Sequence, residues 1–372
     1  MLHLTGIIIS LFLSIILFTK KGKSQADVIL AIWLFFIGFH LSVFYIHISG
    51  QYLKFPYFLG FEIPLPLIHG PFLYLYTRSL TSQNSRRVHW GVHFLPFILA
   101  IGLLFKFFLF SFDKKIEVYI EAGAGFENIL RCIYLVTLLS GVVYVIFSLS
   151  LLKKYSAYIS DQFSDLERIN LNWLRYLILG IGVIWISVFF GNDISTFTII
   201  DLFILFIGYF GVKQVGVFTN NNVSSQTIGG GNADEMVVDK VVERIKYQRS
   251  TADETLLLKI HQDLLALMQQ EKLYKDPELN LNELAQRLNV NPNTLSQVIN
   301  SIENKNFFDY INEQRVAEFL AIVALPENSR FTLLSLAFEV GFNSKTSFNR
   351  NFKSTTGQTP TAYLREQKIQ LK

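Results

Sequence analysis

The sequence predicts an all-α protein in two parts: a seven-helix transmembrane domain, then a cytoplasmic all-α domain with two helix-turn-helix motifs. Three observations support this prediction. The composition is unusual, with 51% hydrophobic and only 17% charged residues in a chain of 372, well away from the average of soluble proteins. Long apolar stretches occupy the N-terminal half, and an internal repeat lies near the C-terminus.

Charged residues are distributed unevenly along the chain. Up to Lys213 there are 16 lysines and arginines and 11 acidic residues, bunched between long uncharged runs. From Gln214 onward the numbers are 17 and 18, spread as in an ordinary soluble domain. Because the two parts suit two different solvents, we predict two modules. The single cysteine, Cys132, excludes a disulfide framework and a cysteine-based zinc site.

Seven apolar stretches reach or approach the roughly 20 residues that a helix needs to cross a bilayer. The first has its lysines after the apolar run, which is the wrong order for a cleaved signal peptide, so we interpret it as a retained span. Prolines at 64, 66 and 71 predict a kink in the third. The predicted spans are residues 2–18, 28–48, 58–80, 92–110, 129–152, 174–190 and 194–212.

Lysines and arginines in the short loops predict the orientation of these spans. Loops after the first, third and fifth spans carry nine of these residues, and loops after the second, fourth and sixth carry three. The excess marks the cytoplasmic side. The N-terminus is therefore expected outside, and an odd number of spans brings the C-terminal domain into the cytoplasm.

A polar segment follows the last predicted span. Its sequence, TNNNVSSQTIGGGNADE at 219–235, predicts a flexible linker. Apolar residues at helical spacing beyond it predict one or two connecting helices. As the only covalent route between the modules, the segment 212–247 is expected to carry a signal, through association of the 237–245 helices of two protomers. The predicted domains are 1–213 (transmembrane), 214–235 (linker), 236–271 (connecting helices) and 272–372 (terminal domain).

The terminal domain contains an internal repeat. The stretches LNLNELAQRLNVNPNTLSQVIN, from Leu279, and FTLLSLAFEVGFNSKTSFNRNF, from Phe331, place matching apolar residues 52 positions apart, and the second turn is one residue longer. Each copy predicts a short helix, a tight turn and a second helix, which is the helix-turn-helix pattern. One long helix over 307–325 is predicted between them. The predicted N-caps are Asn280, Asn291, Thr332 and Ser344.

The second helix of each copy is predicted to have one apolar and one polar face. Phe348 and Phe352 fall four residues apart, so the polar side chains between them face elsewhere. Arg and Lys suit guanine and Asn suits adenine in the major groove of DNA. A merely solvated helix face is the alternative, which two matching copies make weaker. The candidate contacts are Lys345, Thr346, Asn349, Arg350 and Lys353 in the second copy, and the uncharged Asn293, Ser296 and Gln297 in the first.

Residues from about 272 to 368 resemble the DNA-binding domain of the AraC/XylS family of bacterial transcription regulators. The resemblance is carried by LNELAQRLNVNPNTLSQVIN, NFFDYINEQRVAEF, LAFEVGFNSKTSFNRNFK and TGQTPTAYLRE. It implies a seven-helix domain that binds double-stranded promoter DNA without a cofactor. By position it implies base contacts by Lys345, Thr346, Asn349 and Arg350, and by Asn293, Ser296 and Gln297. The first unit departs from many relatives in lacking a basic residue on this helix.

The membrane half is similar to the membrane-tethered branch of that family, through PLIHGPFLYLYTRSL and HFLPF. This similarity implies a multi-pass protein of the bacterial inner membrane that couples an envelope or membrane signal to promoter binding. From Leu279 onward there are only 10 basic against 8 acidic residues. Because phosphate attraction is then modest, high affinity is expected to need a homodimer or clustered sites.

Three charged residues within predicted spans stand out: Glu62 in the third, Arg131 in the fifth and Asp201 in the seventh. Burying any of them alone is costly, so pairing or a watery cavity is expected. A sensing site for an unknown small-molecule or membrane ligand is one interpretation. Structural ion pairing or placement at the membrane surface is the other.

Nothing in the sequence indicates catalysis. Phosphate-binding loops, dinucleotide fingerprints, zinc-protease motifs and nucleophile elbows are all lacking, and no metal site is predicted. Two alternative functions stay open. One is a membrane transporter or receptor whose C-terminal tail recruits a protein partner, and the other is a soluble regulator with a hydrophobic ligand domain.

Overall fold

A computed structural model describes residues 2–81, 90–167, 169–213 and 251–369. For residues 209–213 and 251–254 it describes the backbone alone. The described residues form helices and no strand, apart from one isolated bridge, so the all-α prediction is confirmed. The predicted linker 214–235 and the segment 236–250 lie outside the described residues. The chain divides into two compact units, Met1–Lys153 with Leu171–Ala233, and Lys154–Asn170 with Asp234–Lys372.

The described part of the first unit is built from helices. Five of them have 18 or more residues, α1, α2, α8, α9 and α10, and α8 continues into residues of the second unit. Short 3₁₀ turns at Gln51–Leu53 and Pro56–Phe58 link α2 to α3. The helices are α1 Leu2–Thr19, α2 Gln25–Ile48, α3 Pro66–Thr81, α4 Trp90–His93, α5 Leu95–Leu103, α6 Phe105–Phe108, α7 Phe112–Ile120, α8 Glu127–Gln162, α9 Asn172–Phe190 and α10 Asp193–Lys213.

Four described helices, fewer than the seven predicted spans, are long and apolar enough to cross a membrane: α1, α2, α8 and α9. The third predicted span corresponds to α3, which has only 16 residues. The fourth is divided among α4, α5 and α6, with interruptions at Phe94 and Leu104. The seventh corresponds to α10, of 21 residues.

Prolines account for the short third helix. Pro64 and Pro66 precede or begin α3, and a proline supplies no backbone N–H and disfavours helical backbone in the residue before it. The helix therefore starts at Pro66, eight residues after the predicted start of the span, and Pro71 lies inside it. Pro96 similarly occupies the first turn of α5.

The buried face of α1 combines small residues with Leu13 and Leu17. Other large side chains of the helix point away from the unit: Ile8, Phe12 and Ile15 are 66%, 60% and 61% exposed. An amphipathic helix of a soluble protein usually carries polar residues on its outer face. The buried small residues recur every four positions, at Gly6, Ser10 and Ser14.

The small residues allow α1 and α2 to approach closely. The hydroxyl of Ser14 donates to the carbonyl of Ala31 at 2.8 Å. A Cβ at Gly38 of α2 would lie 2.8 Å from Oγ of Ser10, so a larger residue there would have to displace side chains of α1. Close backbone approach through small residues and interhelical hydroxyl bonds is typical of helix pairs in membranes.

The second unit contains seven α-helices between residues 251 and 369. Six lie within 272–368, and α11 precedes them. The long helix predicted between the repeats is confirmed as α14. The helices are α11 Thr251–Glu271, α12 Leu281–Arg287, α13 Pro292–Val298, α14 Phe307–Val323, α15 Leu333–Glu339, α16 Lys345–Thr356 and α17 Pro360–Glu366.

Helix α14 belongs to two apolar cores. Its first half, including Phe307 and Ile311, packs with residues of α11, α12 and α13. Its second half, including Val316 and Phe319, packs with residues of α15, α16 and α17. One helix thus joins two small cores, and each core contains one helix-turn-helix motif.

The chain passes between the two compact units at three points: after Lys153, after Asn170 and after Ala233. The expectation that 212–247 is the only covalent route between the modules is therefore wrong. Residues Lys154–Asn170, which follow the fifth predicted span, belong to the unit that contains the repeat. Segments on both sides of them return to the first unit.

Candidate nucleic-acid interface

The two helix-turn-helix motifs share one hydrogen-bond pattern in their turns. The N–H of Val290 donates to the carbonyl of Ala285 at 3.0 Å, and 52 residues later the N–H of Phe342 donates to Ala337 at 3.1 Å. The first turn spans residues 288–291 and the second 340–344. The predicted repeat and the additional residue in its second turn are therefore confirmed.

Each turn requires one residue in the left-handed backbone region. Asn289 has φ of 52° in the first turn, and Gly341 has φ of 102° at the matching position of the second. A Cβ at Gly341 would lie 2.4 Å from the carbonyl oxygen of Tyr274 and 2.9 Å from Nε of Arg315. Both the backbone angle and the lack of space require glycine in the second turn.

The four predicted N-caps are confirmed. In each case the side-chain oxygen accepts a hydrogen bond from a backbone N–H in the first turn, which satisfies a donor that the helix itself cannot. Pro292 and Pro360 stand at the first positions of α13 and α17. The pairs are Asn280 with Glu283, Asn291 with Asn293, Thr332 with Ser335 and Ser344 with Ser347, at 2.8–3.1 Å.

Helix α16 has the two faces that its sequence predicts. Phe348 and Phe352 are fully buried and pack against Phe319 of α14, with ring centroids 4.7 and 5.8 Å away. Asn351 is also buried, and its amide donates to the carbonyl of Ser347 at 2.9 Å. The predicted contact residues are all exposed: Lys345, Thr346, Asn349, Arg350 and Lys353.

Arg350 is positioned by an aromatic ring. Its guanidinium carbon lies 5.4 Å from the centroid of Phe308 in α14. A cation over an aromatic face is attracted by the ring quadrupole. The contact restricts the orientation of a side chain that is otherwise free in solvent. A guanidinium with a restricted orientation loses less freedom when its planar fork binds a bidentate partner.

Helix α13, in the first motif, presents a smaller and uncharged surface. Asn293 is exposed, whereas Ser296 and Gln297 are half-buried. The hydroxyl of Ser296 accepts a hydrogen bond from the amide of Asn300 at 3.2 Å. The backbone then widens into a π-turn over Ile299–Glu303. With no charged side chain on Pro292–Val298, this helix can recognise base edges only through neutral hydrogen bonds.

A buried arginine organises the unit that carries both motifs. Arg315 of α14 is 1% exposed, and each of its five N–H donors has an acceptor. Two acceptors come from the residues that precede the first motif: the carbonyl of Tyr274, 2.7 Å from Nε, and that of Asp276, 2.8 Å from Nη2. Asn312 Oδ1 accepts from Nη1 at 3.2 Å.

The remaining two acceptors belong to Ser164, far away in the sequence. Its carbonyl lies 3.2 Å from Nη1 of Arg315 and its hydroxyl oxygen 3.1 Å from Nη2. The same carbonyl accepts from the amide of Asn312 at 3.0 Å. The hydroxyl donates to the carbonyl of Leu279 at 2.6 Å. Ser164 is 1% exposed, so it is inserted into the unit rather than resting on it.

The flanking residues extend this contact to both motifs. Phe163 forms an isolated antiparallel bridge with Asn280, the N-cap of α12. The carboxylate of Asp165 accepts from the amide of Asn343 at 2.6 Å, and Asn343 lies in the turn of the second motif. We call residues Phe163–Asp165 the docked segment. It contacts the start of the first motif, the central helix and the turn of the second.

Neutral acceptors hold the Arg315 charge. Burial lowers the pKa of Arg315 to about 10, against the opposing effect of the Asp165 and Asp276 carboxylates. The side chain is therefore still a cation near neutral pH. A buried cation with unfilled donors is strongly destabilising. The acceptors that Ser164 supplies are therefore required wherever the guanidinium stays buried.

Sequence reasoning missed Arg315 and the docked segment. The periodicity of α14 carries a signal, since Arg315 follows Ile311 by four residues and precedes Phe319 by four, in an otherwise apolar buried stripe. No local sequence pattern indicates the role of Ser164, because its hydrogen-bond partners are 115 to 151 residues away.

The three residues predicted to sense a ligand are not brought together. Asp201 is fully buried and paired with His3 of α1, as the ion-pairing interpretation expects. Arg131 is exposed on α8. Glu62 is half-buried and alone among the three lines a cavity of the first unit. A sensing role stays a prediction, and the structure associates only Glu62 with a cavity.

Residues 284–366 match the model of a family described as a helix-turn-helix domain. The match covers α13 to α17 and most of α12, and it supports an AraC/XylS-type regulator with a DNA-binding C-terminal domain. Families of this kind are typically non-enzymatic. No curated protein and no solved structure matches the chain significantly.

Glycine 341 provides a test of the second turn. Gly341→Ala is expected to lower the free energy of local opening by about 2–3 kcal/mol, through backbone strain and a clash with the Tyr274 carbonyl. Hydrogen–deuterium exchange of the amides of α15 in the full-length protein measures this loss. Gly357→Ala is the matched control, because φ there is 77° but the Cβ would meet open space; it should cost only about 1 kcal/mol. Equal costs would contradict the steric argument.

Proposed function

We propose that the protein is a membrane-bound, sequence-specific transcription regulator. In this proposal its N-terminal part spans the bacterial inner membrane seven times, with the N-terminus outside, and its cytoplasmic C-terminal domain binds promoter DNA. The observation that carries DNA binding is the pair of helix-turn-helix motifs on one central helix, with the polar face of α16 exposed and its aromatic face buried.

The surface of the first unit supports placement in a membrane. On α8 and α9, large apolar side chains are exposed along the helices rather than singly, among them Leu139 at 66%, Ile146 at 54% and Ile186 at 60%. Soluble monomers rarely expose contiguous apolar surface on this scale. With the outward-facing Ile8, Phe12 and Ile15 of α1, this surface suits contact with lipid.

The alternative of a transporter or receptor whose tail recruits a protein partner explains these apolar helices equally well. It does not explain the row of long hydrogen-bond donors on α16. Arg, Lys and Asn with free ends suit base edges and phosphates. A DNA-binding function is therefore the stronger interpretation of the second unit.

The proposal predicts that α16 dominates sequence recognition. Arg350→Ala should reduce discrimination between the selected site and unrelated DNA by about 1–3 kcal/mol, through loss of a bidentate base contact. Arg350→Lys keeps the charge and the cation over Phe308 but loses the fork, so it should lose discrimination with a smaller loss of total affinity. Lys353→Ala should weaken binding to all sequences alike.

The measurement uses full-length protein in lipid nanodiscs and DNA sites selected from a genomic fragment library. Affinities for the selected and scrambled sites are compared at one fixed salt concentration, because phosphate contacts depend strongly on salt. An unchanged specificity ratio in Arg350→Ala would show that α16 is misassigned. Failure of the wild-type protein to select any DNA would favour the protein-recruiting alternative.

The proposal also predicts seven spans with the N-terminus outside. A reporter that is active only in the cytoplasm should give signal when fused after residue 86, 160 or 225, and none near 52, 118 or 192. The reverse pattern would overturn the charge-based orientation. The full-length chain should stay with the membrane fraction after high-salt and carbonate washes, whereas a soluble regulator would be released.

We further propose that the docked segment couples the membrane part to DNA binding. It lies between two helices with predicted spans, because α8 ends at Gln162 and α9 begins at Asn172. A movement of either helix would be transmitted along the chain to Ser164. The contact residues of α16 stay exposed while the segment is docked, so docking is expected to support DNA binding rather than block it.

The earlier expectation, association of helices at 237–245 between two protomers, concerns residues outside the described part of the chain and stays a prediction. Coupling through the docked segment and association of two protomers are compatible mechanisms. The docked segment would set the arrangement of the two motifs within one protomer, and a homodimer would bring two such domains together. A second tethered domain raises effective concentration without any new contact to DNA.

Ser164→Ala tests the docked segment. It removes a donor to Leu279 and an acceptor for Arg315, which should cost about 1–3 kcal/mol of docking free energy and weaken promoter binding. Hydrogen–deuterium exchange of the amides of 279–284 and DNA affinity are measured on the full-length protein. Ser160→Ala is the matched control, since that hydroxyl donates only to the carbonyl of Ala157 within α8. Unchanged exchange and affinity in Ser164→Ala would contradict coupling through this segment.

A further inference from the structure

The first unit contains a cavity of about 420 Å³. Its lining comes from α2, α3, α7, α8, α9 and α10 and from the turn between α2 and α3. Cavities that hold small organic ligands usually measure about 300–1,000 Å³ and are mostly apolar with a few polar groups. Apolar side chains such as Ile133, Ile181 and Ile204 account for much of this lining.

The charged groups of the cavity are all acidic. Glu62 and Asp193 line it, and no lysine or arginine does among the described residues. Asp193 is exposed and Glu62 is half-buried. Glu62 accepts the N–H of Gly60 at 2.9 Å, and neither carboxyl has a salt bridge within the described part of the chain. Two acidic groups without a lysine or arginine beside them favour a positive ligand group, which stabilises their ionised forms, over a negative one.

Histidine rings provide a donor in the lining. Nε1 of Trp33, which can only donate, lies 3.2 Å from Nδ1 of His69, so Nδ1 is the acceptor. The proton of neutral His69 is then on Nε2, which donates to Nδ1 of His40 at 3.0 Å. His40 must therefore carry its own proton on Nε2. Trp33, His69 and His40 all line the cavity. The Nε2–H of His40 is not used in this series of hydrogen bonds, so it can donate to a ligand.

A buried hydroxyl lacks a partner in the same lining. Thr137 of α8 is 4% exposed and lines the cavity, and its Oγ1 has no hydrogen bond to any described residue. Threonines inside helices commonly bond to a carbonyl one turn earlier. An unsatisfied buried hydroxyl costs free energy, which a polar atom of a bound molecule would recover. This observation is independent of the carboxyl groups and also indicates a ligand.

We infer that the cavity binds an amphipathic amine. Its cationic head would lie between Glu62 and Asp193, and its apolar body among the isoleucines. A polar atom within that apolar body would form hydrogen bonds with His40 and Thr137. That this amine is the signal of the regulator rests on the proposed function, whereas its binding to the cavity does not.

The test uses three probes with the same chain and different heads: octylamine, octanoate and octanol. Full-length protein in nanodiscs is titrated with each, and tryptophan fluorescence is recorded. The four tryptophans of the chain all precede residue 186, and Trp33 and Trp185 line the cavity. Octylamine should give a saturable change at a concentration at least tenfold lower than octanoate, with octanol between them.

Glu62→Gln with Asp193→Asn should weaken octylamine binding at least tenfold and abolish the preference over octanol. The matched control is Glu127→Gln with Asp113→Asn. Glu127 accepts the N–H of Gly125 at 3.0 Å, as Glu62 does that of Gly60, and Asp113 and Asp193 both lie in the first turn of a helix. Neither control residue lines the cavity, so this variant should bind octylamine as the wild type does.

Equal affinity for octanoate and octylamine would overturn the inference. So would a fluorescence change that is the same in the Glu62→Gln, Asp193→Asn variant, because it would report partition into lipid. DNA selection by the same preparations without amine is measured in parallel. If the wild-type protein selects DNA but does not bind octylamine, the inference about the cavity is refuted and the proposed function is not. If it binds octylamine but selects no DNA, the proposed function is refuted and the inference about the cavity is not.

Discussion

The arrangement of the second unit depends on one buried cation. Arg315 lies where α14 passes from one apolar core to the other, and its five N–H groups reach backbone carbonyls before the first motif, a neighbour on the same helix, and the docked segment. No single short-range contact could connect these parts. Because a guanidinium cannot lose its proton at ordinary pH, every acceptor has to stay in place, and the two motifs are held to one central helix.

The first unit is assembled on a different principle. Small residues and hydroxyl groups allow its helices to approach closely, which is typical of helix pairs in membranes. The stripe Gly6, Ser10, Ser14 and its partner Gly38 bring α1 against α2 in this way. Gly141 of α8 likewise makes room for Trp185 of α9, whose ring would lie 2.2 Å from a Cβ there. These close helix contacts therefore occur at glycine and serine residues.

The sequence predicted local features well and long-range ones poorly. Caps, the 52-residue repeat and the burial of Phe348 and Phe352 follow from spacing and residue type, which act within one or two turns. The seven apolar stretches were visible too, yet prolines shortened the third and divided helices replaced the fourth, because hydropathy measures composition and not helix continuity. The hydrogen bonds of Ser164 and His40 depend on partners far away in the sequence, so no local pattern predicted them.

Polar groups within the apolar parts of this chain fall into two classes. Arg315 has all its donors filled, so its charge is satisfied by the protein itself. Asp201 is satisfied in part, because Oδ2 pairs with His3 whereas Oδ1 has no hydrogen bond to a described residue. Glu62 and Thr137 are different, since the first has no cation and the second no hydrogen bond among the described residues. Satisfied groups fix a structure, whereas unsatisfied ones raise its free energy until something else binds. The docked segment belongs to the first class, because its hydrogen bonds are made within the protein, and the lining of the cavity belongs to the second, because it keeps polar groups available for a ligand.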